Sequence, residues 1–142
     1  MGNNPYARYQ KIQIETADQG KLLLMLYGGA LRFLNSAKTA LLEGDMESVN
    51  RNLLRAEDII AELISALNLE AGEVAERLLQ LYDYIHHLLV QGNIKKEVQF
   101  LEQAETLLLE LSETWKEALR DERAAEENRE RLTSLAEPGS IL

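Results

Sequence analysis

Apolar residues recur along this chain at the three- and four-residue spacing of a helix face, and over residues 71–91 they exceed what a single face needs. Placed at about 100° per residue, Val74, Leu78, Leu81, Ile85 and Leu88 form one stripe. Ala75, Leu79, Tyr82 and Leu89 form a second stripe beside it, and Tyr84 flanks the first on its other side. Only Glu76, Gln80, Asp83 and His87 make a polar back, so the apolar arc is wider than the ~100° of an ordinary surface helix. The pattern predicts a third helix that touches protein on more than one side. Gly92 is expected to end it in the left-handed conformation, with Asn93 capping the next helix after a short turn.

The first helix is expected over residues 18–43, opened by Thr16 and Gln19 at capping-box spacing or by Asp18 as N-cap, and stopped by Gly44. Its core stripe reads Leu22, Met25, Leu26, Gly29, Phe33, Ala37 and Ala40, with Leu23, Tyr27, Ala30, Leu34 and Leu41 next to it. Leu24, Leu31 and Leu42 fall on the opposite side, where a bundle helix should be polar. Such a surplus marks an interaction surface or a region covered by the N-terminal arm. Asp45 caps a second helix over 46–67, with Met46, Val49, Leu53, Ala56, Ile60, Leu63, Ile64 and Leu67 inward and Arg51, Arg55, Asp58 and Glu62 outward. A fourth helix over 94–119 turns Ile94, Leu101, Ala104, Leu108, Leu111, Trp115 and Leu119 inward, extended by Phe100, Leu107 and Ala118. Trp115 at this spacing reads as a core or end-of-bundle residue.

Four helices with three short connections predict an all-α, antiparallel up-down-up-down four-helix bundle over residues 16–119. Before it lies an N-terminal arm, residues 1–15, whose Tyr6, Tyr9, Ile12 and Ile14 give it more apolar surface than a disordered tail needs. It packs as a fixed strap or as one that moves. After the bundle comes a charged tail, residues 120–142, which can prolong the fourth helix with little to hold it down and ends at Pro138-Gly139-Ser140. No repeat or second domain is evident.

Composition narrows the function. Of the 142 residues, 46% are hydrophobic, 6% aromatic and two are proline, a balance that favours helices over sheets. Cysteine is absent, which removes disulfides and thiolate chemistry and fits a reducing cytoplasm. No signal-peptide pattern opens the chain, and no run approaches the ~20 apolar residues of a membrane span. A net charge of -9 opposes nucleic acid and anionic lipid, whose binding depends on clustered Lys and Arg.

Catalysis finds little support. Asp83 and His86 have the i,i+3 spacing of a di-iron ligand pair, but the only two histidines are adjacent, so no second pair can form, and Asp83 points away from the core stripes. A lone surface metal at Asp83 and His87 is the weaker remaining option. No phosphate loop, nucleophile triad or buried carboxylate pair can be read, and a core of Leu, Ile and Ala leaves no evident ligand cavity. No enzyme, cofactor or metal is expected.

The run Leu81-Tyr82-Asp83-Tyr84, followed by Leu88 and Asn93-Ile94-Lys95-Lys96, resembles the third-helix signature of FliS, the flagellin-specific export chaperone of bacterial flagella. Asn4-Pro5-Tyr6 with Tyr9, Leu24-Met25-Leu26-Tyr27 with Gly29-Ala30, Glu43-Gly44-Asp45, Ala56-Glu57-Asp58-Ile59-Ile60 and Trp115-Lys116-Glu117-Ala118-Leu119 agree in the same order, over about residues 4–119. The chain departs from that pattern at His86-His87, Gly92, Gly28 and Gln19, where the family usually carries two arginines, alanine, Asp or Asn, and proline.

The resemblance implies a cytoplasmic chaperone that holds the disordered C-terminal segment of flagellin, prevents premature polymerisation and delivers it to a flagellar export gate component. It also implies that Tyr6 and Tyr9 cover part of the client site and serve docking at the gate. Tyr6, Tyr9, Ile12, Leu24, Tyr27, Leu31, Leu79, Tyr82 and Tyr84 are the expected partner-binding residues. Self-association is expected when the client is absent. The alternative is a non-enzymatic scaffold or regulator that homodimerises through the same apolar faces.

Overall fold

The computed structural model describes the backbone of residues 5–135 and the side chains of residues 19–123 with 126, 127 and 130. It contains α1 (Pro5–Glu43), α2 (Met46–Ser65), α3 (Glu73–Lys95) and α4 (Val98–Leu135), with a 3₁₀ turn at Leu69–Ala71 before α3. α1 lies beside α2 and α4, and α3 lies beside the same two. This is the antiparallel four-helix bundle that the apolar spacing predicts.

The first turn forms as the sequence leads one to expect. Gly44 takes φ +76, its N–H donates to Leu41 O at 3.2 Å, and the Asp45 N–H donates to Ala40 O at 2.9 Å. These two bonds satisfy carbonyls that the end of α1 would otherwise leave unpaired. Asp45 then accepts from the Ser48 N–H at 3.1 Å and opens α2. The next connection runs longer than expected: α2 stops at Ser65, Asn68 caps the 3₁₀ turn, and Gly72 at φ +97 admits the chain to α3.

Three expectations need correction. α1 starts at Pro5, so the backbone of the segment read as a separate arm continues the first helix. Proline is tolerated in the first helical turn, and nothing from Tyr6 to Gln19 breaks a helix. The side chains of Tyr6, Tyr9 and Ile12 lie outside the described residues. Second, the buried stripe of α1 is Tyr27, Ala30, Leu34, Ala37 and Ala40, with Leu23 and Leu41 packed against it, whereas Leu22 and Met25 are exposed. The two candidate stripes adjoin, and spacing alone does not say which points at the neighbours.

Third, Gly92 does not end α3. The helix runs on to Lys95, and Lys96, at φ 53 and ψ 43, supplies the left-handed residue, its N–H donating to Gly92 O at 2.8 Å. Asn93 caps nothing; its amide donates to Asn50 Oδ1 at 2.8 Å and ties α3 to α2. Glycine at 92 serves close approach instead: a Cβ there would meet Leu101 Cδ1 at 2.3 Å and Phe100 Cβ at 3.3 Å.

At the centre, helices that share no edge are joined by a polar contact. The hydroxyls of Tyr27 on α1 and Tyr82 on α3 are 2.6 Å apart, and either can be the donor. Their rings tilt at 49° with centroids 6.5 Å apart, and both residues are fully buried. Burial, and for Tyr27 also the Tyr82 hydroxyl, pushes both phenols above the usual tyrosine range, so the pair stays neutral.

Two stability measurements check this account. Tyr27→Phe or Tyr82→Phe alone strands a buried hydroxyl and should cost about 1–3 kcal/mol in urea denaturation, while the double variant should recover most of it. Additive losses would show that the hydroxyls do not depend on each other. Gly92→Ala should destabilise by about 1–2 kcal/mol, because crowding the fully buried Leu101 outweighs the helix-propensity gain. A stabilised variant would mean that α4 simply backs away.

Candidate interaction surface

The sequence-predicted contact residues do not form one patch. Tyr27 and Tyr82, expected to touch a partner, lie inside the core at 0% and 1% exposure and present no surface of their own. Leu24 and Leu31 are half-buried one above the other on α1, and Leu24 borders a groove shared with α4. Leu79 is half-buried and Tyr84 exposed on α3, well apart around the helix. Tyr6, Tyr9 and Ile12 fall outside the described side chains.

Apolar exposure instead gathers at the two ends of the bundle. At the end that holds the α2–α3 connection, Leu22 and Met25 of α1, Leu69 of the 3₁₀ turn and Val74 of α3 are exposed. At the other end, beside the two tight turns, Leu42, Met46, Ile94 and Val98 are exposed. Met25 reaches 70% and Leu42 86%. Single exposed leucines need no explanation, but groups at both ends leave apolar area that the bundle itself does not cover. Leu54, Tyr84 and Leu109 add exposed apolar positions along the sides.

Leu22, Met25, Met46, Val74 and Ile94 were expected in the core. Met46, Val74 and Ile94 sit in the first or last turn of their helices, and Leu22 and Met25 on the edge of the α1 arc that faces away from its neighbours, circumstances that the periodicity of one segment does not report. Phe33 shows the opposite, since the Arg55 guanidinium lies 5.6 Å over its ring and shields it.

A second feature escaped the sequence reading. Lys21 and Leu24 of α1 face Lys116, Leu119, Arg120 and Arg123 of α4 across an open groove with an apolar floor and a cationic rim. The i, i+4, i+7 spacing of Lys116, Arg120 and Arg123 around Leu119 was the available signal. Among the described residues no group of three or more His, Cys, Asp or Glu side chains converges as a metal site would, and no helix is long and apolar enough to cross a membrane.

Where α2 meets α3, His86 Nε2 lies 3.9 Å from Glu57 Oε1, while Glu57 Oε2 is buried with no hydrogen-bond partner in the protein. Loss of solvent raises the Glu57 carboxyl above its ordinary value; His86 opposes the shift and Asp58 adds to it.

Comparison with known proteins bears on most of the chain. Residues 2–122 match the sequence model of the family described as Flagellar protein FliS. The chain is 40% identical to the flagellar secretion chaperone FliS of Bacillus subtilis, over 84% of this chain and 90% of that protein. It is 34% identical to the Salmonella typhimurium chaperone of that name, over 77% of this chain and 85% of the relative. The Vibrio cholerae counterpart is 32% identical, over 75% and 82%.

The buried carboxyl sets a pH dependence. Its raised value in the folded state means that the protonated form favours folding, so this contribution is complete below the unfolded value of about 4.3 and is lost as pH rises through the folded one. Glu57→Gln should therefore gain stability relative to the parent between acid and neutral pH, as followed by urea denaturation across that range. A pH-independent difference would show that the carboxylate is solvated after all.

Proposed function

Since this chain belongs to the FliS family, with its relatives matched over most of their length, we propose that it is a cytoplasmic export chaperone that holds the C-terminal segment of flagellin. It keeps that segment from polymerising and hands it to a component of the flagellar export gate. The observation that carries this reading is the apolar area left uncovered at both ends of an otherwise well-packed bundle.

A disordered client suits such a surface. It can lay short amphipathic turns on separated patches, whereas a rigid partner would need one continuous face. Leu22 and Met25 offer one anchor, Tyr84 another, and the half-buried Leu24, Leu31 and Leu79 lie where a wrapped segment would pass. Masking is stoichiometric, so no nucleotide or cofactor enters the mechanism. Tyr6, Tyr9 and Ile12 serve in this proposal as a lid over part of the client surface and as the docking handle at the gate.

Calorimetric titration with the flagellin C-terminal segment tests the assignment. Changing Leu22 and Met25 together to Asp leaves the core intact, because both are already exposed, and should weaken binding at least tenfold, about 1.4 kcal/mol. Tyr84→Ala should cost roughly 2 kcal/mol if the ring is an anchor. Removal of residues 1–15 should leave affinity equal or slightly higher, since the lid no longer has to be displaced. Clear loss on that deletion would show direct contact with the client. A tight dimer indifferent to flagellin would favour the scaffold reading over the chaperone.

A further inference from the structure

We infer that the groove between α1 and α4 is a docking site for an acidic amphipathic segment of a partner protein, lying beside the exposed Leu22 and Met25 and sharing Leu24 with the proposed client path. The floor is Leu24 and Leu119, and the rim is Lys21, Lys116, Arg120 and Arg123. Leu119 is itself seated by close approach, since its Cδ2 lies 2.3 Å from where a Cβ on Gly20 would stand. The groove is therefore built by the packing of two helices.

Charge placement identifies the occupant. The chain carries -9 overall, yet four of its 15 Lys and Arg line this one groove. On α4, Lys116, Arg120 and Arg123 share one side, bounded by Glu113 before them and Glu127 after, whereas Glu117, Asp121 and Glu122 fall on others. Lys116 and Arg120 stand at i,i+4 and Arg120 and Arg123 at i,i+3, like-charge pairs that work against the helix. Among the described residues Lys21, Arg120 and Arg123 make no ion pair, and Lys116 has only an exposed bridge to Glu113 at 3.4 Å. An exposed pair of that kind contributes little and is easily exchanged.

Among the described residues only Glu113 pairs with this cluster, and its chemistry fits a leucine-type side chain entering the floor while flanking carboxylates meet the rim. Arg suits that task because its planar fork can hold a carboxylate through two hydrogen bonds. The acidic remainder of the molecule does not forbid the approach, since exposed charges beyond ~8 Å are screened at physiological salt. It does favour a short segment over a broad acidic surface.

The probe is a fluorescein-labelled helical peptide with Leu at every third or fourth position and Glu elsewhere, titrated into the full chain and followed by anisotropy. Matched peptides with Lys for Glu, or Ser for Leu, serve as comparisons. Saturable binding of the Glu/Leu peptide alone is expected, weakening several-fold between 50 and 300 mM salt. Lys116→Glu with Arg120→Glu should lower affinity at least tenfold, and Arg51→Glu, on α2 diagonally across the bundle, should leave it unchanged. Circular dichroism of each variant separates lost binding from lost fold.

Equal binding of all three peptides, or an unchanged affinity in the charge-reversed variant, would overturn the inference. So would binding to phosphatidylglycerol vesicles in preference to the peptide, which would make the rim a lipid-headgroup site. Self-association abolished by the charge reversal would assign the groove to a second copy of the chain and overturn it equally. The flagellin titration is independent of these outcomes, so either proposal can fail alone.

Discussion

The hydrogen bond between Tyr27 and Tyr82 is the constraint on which the bundle depends. Apolar side chains are indifferent to small rotations of their helix, because one leucine replaces another at little cost. A buried hydroxyl is not indifferent, since turning it away from its partner leaves two polar groups in a dry interior. The pair spans α1 and α3, which share no packed edge, and so couples the rotation of two helices that their neighbours control only indirectly. Both phenols stay neutral, which removes any need for a counter-charge in the core.

With the interior specified, the surface is free to differ from an ordinary solvated exterior. Exposed apolar residues collect at the two ends, cations collect in one groove, and Arg55 caps the ring of Phe33 between them. These are three separate chemistries on a single small scaffold. Under the proposed function the cationic groove and the neighbouring apolar end meet at Leu24, so occupants of the two would influence each other's binding.

Much of the fold was legible in the sequence because helices announce themselves by period and by their ends. Gly44 and Asp45 behaved as turn chemistry demands, since neither has another role there. Gly92 misled because a glycine that ends a helix and one that admits a neighbouring side chain are the same letter, and Leu101 lies outside the window in which a cap is judged. Leu22 and Met25 misled because a wide apolar arc has two edges, and only the position of α2 and α4 decides which is covered. Of the site, Tyr84 and the half-buried leucines were visible as surplus hydrophobicity. The cationic groove was not, because its two walls are about a hundred residues apart in the chain.

The glycines at 20 and 92 carry a mechanical consequence. Leu119, about midway along α4, seats against Gly20 of α1, and Leu101, in its first turn, seats against Gly92 of α3. The two leucines are ~27 Å apart along the helix at 1.5 Å per residue. Each fits where a neighbour lacks a Cβ, so α4 is keyed at two points to two different helices, and sliding by a turn would bring each leucine against a residue that has one. It acts as a fixed rail. Any shape change of the bundle therefore has to be taken up by rotation or bending of the other helices about it.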